Sequence, residues 1–215
     1  MNMHPGEVRG GRESPAGALI RAGREAWLKG LVSGMSGNLS LHCKTEMLIT
    51  SSGVCKGRLK DGDLVRVDLP TGASAGSGRM SSEAGMHMKI YAVCPEAKAI
   101  VHVHPPHLLA LDLAGADLLD LDLFEAEQVR DKLARVGAYP PGSGALADAV
   151  ASAARSAPAV YMARHGLTCW GESLDQALSL AEEAEALAQV QLLAGLGLQN
   201  TPGQRPASDS RSGSG

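Results

Sequence analysis

The chain has 215 residues, 44% of them hydrophobic, enough for one substantial globular core. Its formal charge of −3 arises from interspersed signs, with no basic stripe carrying aromatics, which argues against a nucleic-acid partner. No apolar run reaches the ~20 residues of a membrane helix, the N-terminus has no apolar signal core, and no two of the four cysteines form a C-x-x-C pair, so a soluble cytoplasmic protein with free thiols is expected.

Residues 1–13 are polar and expected to be flexible, the folded unit is 14–198, and 199–215, rich in Ser, Gly and Pro, is a disordered tail. The first helix should start at Ser14, with Pro15 in its first turn and Gly30 past its end. Leu19, Ile20, Gly23 and Trp27 would share a face. Short β-type runs follow at Met47–Thr50 and Asp63–Asp68. A second helix follows Ser81-Ser82 and runs to Cys94, where Pro95 stops it. Residues 98–104 (KAIVHVH) and 158–163 (PAVYMA) have the character of buried strands. The last helix opens on a Ser173/Gln176 capping box and continues to about Leu193. No Gly-rich dinucleotide or P-loop signature is present.

The chemistry is densest at His102-Val103-His104. On a strand, residues two apart point the same way, so both imidazoles can reach one ion. The alternative is a chance pair with one ring buried and one exposed. Three neutral nitrogens and an open position suit a catalytic metal centre. His165, just past a strand and followed by Gly166, is the best source of the third, with His107 as a substitute. His4 and His42 have the setting of solvated or structural residues. Glu83 is either a helix-capping carboxylate favoured by the dipole or a general acid/base, with His87 one turn beyond it. Ser81 and Ser82 precede a helix start, where free N–H groups attract anions. Ser36-Gly37-Asn38 and Ser51-Ser52-Gly53 pair small polar residues with glycine: singly they are turns, together a phosphate cradle.

In this order SGNLS (36–40), ITSSG (49–53), SSE (81–83), HVH (102–104) and RHGL (164–167) resemble the class II aldolase/adducin family, and Pro95-Glu96 and Ala99-Ile100-Val101 also match. The resemblance implies an α/β, three-layer domain with a central, largely antiparallel sheet flanked by helices. It implies a homotetramer with active sites at subunit interfaces. Zn²⁺ would be held by His102, His104 and His165. The substrate phosphate would rest on Ser36, Gly37, Asn38, Ser52, Gly53, Ser81 and Ser82, and Glu83 would be the catalytic acid/base. The reaction implied is cleavage of a ketose 1-phosphate of the L-fuculose-1-phosphate kind to dihydroxyacetone phosphate and an aldehyde, through an enediolate.

The chain departs from the family pattern in one place. The loop expected to carry a Tyr proton donor to the departing aldehyde reads DLLDLDLFEAEQ, with Phe124 but no Tyr, and Tyr139 lies further along. Three alternatives accompany the aldolase. A ribulose-phosphate 4-epimerase would carry Asp in place of Glu83. A methylthioribulose-1-phosphate dehydratase would share the histidines and eliminate water. A non-catalytic adducin-like interaction domain would lack them.

Overall fold

A strand buried on both sides shows no apolar/polar alternation, and the strand Ala99–Val103 is buried at all five residues. It lies in the middle of a sheet covered by helices on each face, in a computed structural model that describes residues 13–76 and 78–199. In chain order the elements are α1 (Pro15–Leu28), β1 (Asn38–Cys43), β2 (Glu46–Thr50), β3 (Leu64–Asp68), β4 (Ser74–Ala75), α2 (Ala84–Val93), β5 (Ala99–Val103), α3 (Pro106–Leu113), α4 (Phe124–Arg130), β6 (Leu133–Val136), α5 (Gly144–Ala154), β7 (Ala159–Met162), β8 (Gly166–Gly171) and α6 (Leu174–Gln199). Strand order is β4-β3-β2-β1-β5-β8-β7-β6. Every neighbouring pair is antiparallel except β6 and β7, whose parallel pairing needs the crossover that α5 provides.

The two apolar clusters are the two faces of the sheet. Leu39, Leu48, Val101, Tyr161 and Cys169 pack with Leu19, Leu108, Val129 and Leu178 of α1, α3, α4 and α6. Met47, Ile49, Val65, Ile100 and Val160 pack with Ile90 of α2 and Leu146 and Val150 of α5. This is the three-layer α/β class expected from the motifs. No helix among the described residues is long and apolar enough to cross a membrane.

Helix ends follow local chemistry. Ser14 Oγ accepts from Gly17 N at 3.0 Å, Pro15 opens α1, and Gly30 takes φ 74° beyond it. The buried stripe of α1 is Leu19, Ala22, Gly23 and Ala26. Trp27, expected beside them, is 42% exposed, because its ring covers Gly57, where an added Cβ would come within 2.6 Å of it. In α6, Ser173 Oγ accepts from Gln176 N, but Gln176 Oε1 accepts from Glu172 N, one residue outside the expected box. α6 also runs past Leu193 to Gln199. Residues 1–12, with His4, and 200–215 of the expected tail lie outside the described residues.

The β7–β8 hairpin delivers His165, whose N–H donates to Met162 O at 3.0 Å. Arg164, not Gly166, takes the positive φ (60°) of this turn. Gly166 is needed for a different reason: a Cβ there would lie 2.4 Å from Val103 O and 2.9 Å from His104 Cδ2. We therefore expect Gly166→Ala to cost about 1–3 kcal/mol through overpacking, read as a lowered urea midpoint with an unchanged m-value.

Candidate active site and metal centre

Strand register builds the centre. Asn38, His102 and Thr168 stand opposite one another on β1, β5 and β8, on the face that carries α2. His102 is fully buried, and its Nδ1 lies 3.1 Å from Leu167 O. A carbonyl only accepts, so Nδ1 carries the proton and Nε2 presents its lone pair to the site. Thr168 Oγ1, also at 3.1 Å, steadies the ring. His104 continues the same face beyond β5, its Nε2 3.0 Å from His102 Nε2. His165 enters from the hairpin, with ring centroids 5.0 Å from His102 and 5.3 Å from His104.

These three rings fit a metal ion. Their ligand nitrogens all lie within 4.8 Å of one another. Nitrogens about 2.0–2.1 Å from a tetrahedral ion sit roughly 3.3 Å apart, close to the spacing of His102 and His104. Burial, followed by the neighbouring His102 and His165, pushes His104 down to about 4, leaving it in the neutral form that binds metals. His107 does not substitute. Its Nδ1 lies 2.7 Å from Glu185 Oε1, and the Glu185 carboxylate also accepts from the His107 and Leu108 N–H groups at the start of α3.

Glu83 occupies the N-cap position of α2 without capping it. Its carboxylate turns inward, with Oε2 3.1 Å from His102 Nε2, Oε1 3.1 Å from His165 Nε2, and Asn38 Nδ2 donating to Oε2 at 2.9 Å. Burial pushes this carboxyl up, but the adjoining rings of His102 and His165 outweigh it and hold it well below the usual carboxylate range. Behind it, His87 Nδ1 lies 2.7 Å from Ser40 Oγ, which is 2.8 Å from Tyr91 Oη. His87 is thus a buried supporting residue, and His42, on β1, packs its ring against Tyr91.

Ser36, Gly37, Asn38, Ser52, Gly53, Ser81 and Ser82 all line one cavity of about 250 Å³, together with Glu83, His104 and His165. Gly37, at φ 70°, passes so close that a Cβ would lie 2.7 Å from His102 O. Lys56 also lines the cavity and was not singled out in the sequence, where CKGRLK has the look of a solvated charge run. Burial, partly opposed by Cys55, lowers its ammonium to about 8. Phe124 is 82% exposed and Tyr139 is 40% exposed; neither lines the cavity.

The model of the Class II Aldolase and Adducin N-terminal domain matches residues 17–192. The chain belongs to this family. It is 36% identical over 159 residues to the L-fuculose phosphate aldolase of Haemophilus influenzae, spanning 74% of this chain and 73% of the relative. It is 33% identical to the 5-methylthioribulose-1-phosphate/5-deoxyribulose-1-phosphate aldolase of Rhodospirillum rubrum, over 80% of this chain and 77% of the relative. Other relatives are named as 3-oxo-tetronate 4-phosphate decarboxylase and methylthioribulose-1-phosphate dehydratase. The crystal structure of L-fuculose-1-phosphate aldolase from Thermus thermophilus superposes with a TM-score of 0.74 at 29% identity, over 86% of this chain and 96% of that one. As a class II aldolase family member, the chain is a lyase-type enzyme.

Burial, then the neighbouring His102 ring, lowers His87 from 6.5 to about 3. The unfolded chain therefore binds the extra proton first, and this contribution to stability is complete above pH 6.5 and lost as pH falls toward 3. His87→Gln should flatten the fall in urea midpoint below pH 6.5 relative to the parent chain.

Proposed function

We propose that the chain is a zinc-dependent aldolase. It cleaves a ketose 1-phosphate resembling L-fuculose 1-phosphate to dihydroxyacetone phosphate and an aldehyde, working as a homotetramer on a small phosphorylated sugar. The observation that carries this is the convergence of His102, His104 and His165 beside Glu83, at a cavity walled by small hydroxyl and glycine residues. Neutral imidazoles without a thiolate suit zinc with an open position. When bound, zinc there would act as a Lewis acid toward the negative charge left by carbon–carbon cleavage.

The remaining work belongs to side chains. His102 is held in one tautomer by Leu167 O and so keeps its Nε2 available as a ligand. The ionised Glu83, fixed by Asn38, removes a proton from the carbon that becomes the enediolate in synthesis; in cleavage it takes up the proton that the substrate hydroxyl releases as the aldehyde forms and returns it to that carbon. Ser52, Gly53, Ser81 and Ser82 offer hydroxyls and backbone N–H groups to the phosphate, and this grip orients the reacting carbon against Glu83. Glu83 in place of Asp separates the chain from the family's epimerases, and the intact histidines separate it from an adducin-like interaction domain. Dehydration is the second reading. Phe124 offers no phenol for a departing aldehyde oxygen, and elimination of water needs none.

A screen of ketose 1-phosphates with zinc present tests the proposal. Dihydroxyacetone phosphate and an aldehyde are the expected products; loss of water with the carbon chain intact would select the dehydratase, and full turnover by metal-free protein would contradict both. His102→Ala and His165→Ala should each lose bound zinc and activity together. Glu83→Gln should retain zinc yet lose about 10²–10⁴-fold in solvent-deuterium exchange into dihydroxyacetone phosphate.

A further inference from the structure

Lys56 is a buried cation, 1% exposed, in a short 3₁₀ segment, Lys56–Arg58. Its Nζ donates to Met35 O at 3.0 Å and Val54 O at 2.9 Å. An ammonium has three N–H donors, and among the described residues no third acceptor and no carboxylate engages this one. Buried charges are ordinarily paired, since desolvation of a lone ion is costly. The carboxylate that shares the cavity, Glu83, is occupied by His102, His165 and Asn38.

The segment that carries this lysine is closely packed. Gly23 of α1 lets the segment pack closely, because a Cβ there would lie 2.9 Å from Lys56 O and 2.6 Å from Leu59 Cδ1. The two backbone carbonyls then hold the ammonium at the cavity wall it shares with Ser36, Ser52, Gly53 and Ser81. Those neighbours donate hydrogen bonds but carry no charge, and a phosphate dianion needs both. We infer that Lys56 is the cationic ligand of the phosphate subsite, its free N–H and its charge completing a cradle that is otherwise neutral. The inference rests on the reading that this cavity takes a phosphorylated substrate. It makes Lys56 the residue by which the site prefers a phosphorylated sugar to the free one.

The test uses the full chain loaded with zinc, with Lys56→Met, Lys56→Gln and Lys56→Arg. Glutamine keeps an N–H donor and removes the charge; arginine keeps the charge. Two readouts apply: the rise in melting midpoint on adding inorganic phosphate, and kinetics with the ketose 1-phosphate turned over by the parent chain. The parent should be stabilised by phosphate. Lys56→Met and Lys56→Gln should lose that stabilisation and raise KM roughly 10–100-fold, with kcat nearly unchanged and zinc content intact. Lys56→Arg should recover part of both. Parental phosphate stabilisation and KM in Lys56→Gln would overturn the role of Lys56 while leaving the sugar-phosphate reading standing. A parent chain indifferent to phosphate, and equally active on the unphosphorylated ketose, would overturn both.

Discussion

The period-2 geometry of one central strand governs the rest of the molecule. His102 and His104 point the same way because two residues separate successive side chains on one face, and β5 lies between β1 and β8, where helices cover both sides. A third imidazole can join only if a neighbouring strand turns back at the same level. The β7–β8 hairpin does so, and Gly166 gives His104 and the β5 backbone the room to meet it. Shifting β8 by one residue against β5 would turn its side chains to the opposite face and remove Thr168 from His102.

Burial gives this arrangement its electrostatic character. His104 is held neutral by desolvation and by its neighbouring rings. Glu83 lies under opposing influences, burial raising its pKa and the imidazoles lowering it. A divalent cation among the rings fits this balance: it demands neutral nitrogens and favours an ionised carboxylate beside it. In the row Asn38–His102–Thr168 three buried polar side chains stand at one level of the sheet, each hydrogen-bonded to a site residue or to another member. Lys56, at the wall of the same cavity, adds positive charge to a lining of serines and glycines that carry none.

The parts of this architecture governed by local chemistry were legible in the sequence. Ser14, Pro15 and Gly30 mark α1 because capping acts within a few residues, and the His-x-His pair needs only strand geometry. Elements that depend on tertiary burial were silent. In β1 the polar members of NLSLHC, Asn38 and Ser40, are buried toward the site rather than turned to solvent, so the segment passes for a turn followed by an isolated histidine. Glu83 at a helix start has the appearance of a cap; only the fold reveals that its carboxylate turns toward His102 and His165. A glycine directly after His165 has the appearance of a turn residue, whereas Arg164 takes the positive φ and Gly166 relieves a contact from a strand some sixty positions away. Lys56 escaped notice because nothing local distinguishes a buried lysine from the solvated ones around it.

The central claim is that three imidazoles, and no thiolate, bind one divalent ion next to Glu83. X-ray absorption spectroscopy at the zinc edge of the loaded protein examines this directly. The account predicts a first shell of nitrogen and oxygen at about 2.0–2.1 Å with outer-shell scattering from imidazole rings. A sulfur shell at about 2.3 Å, or a protein that holds no stoichiometric zinc, would contradict it.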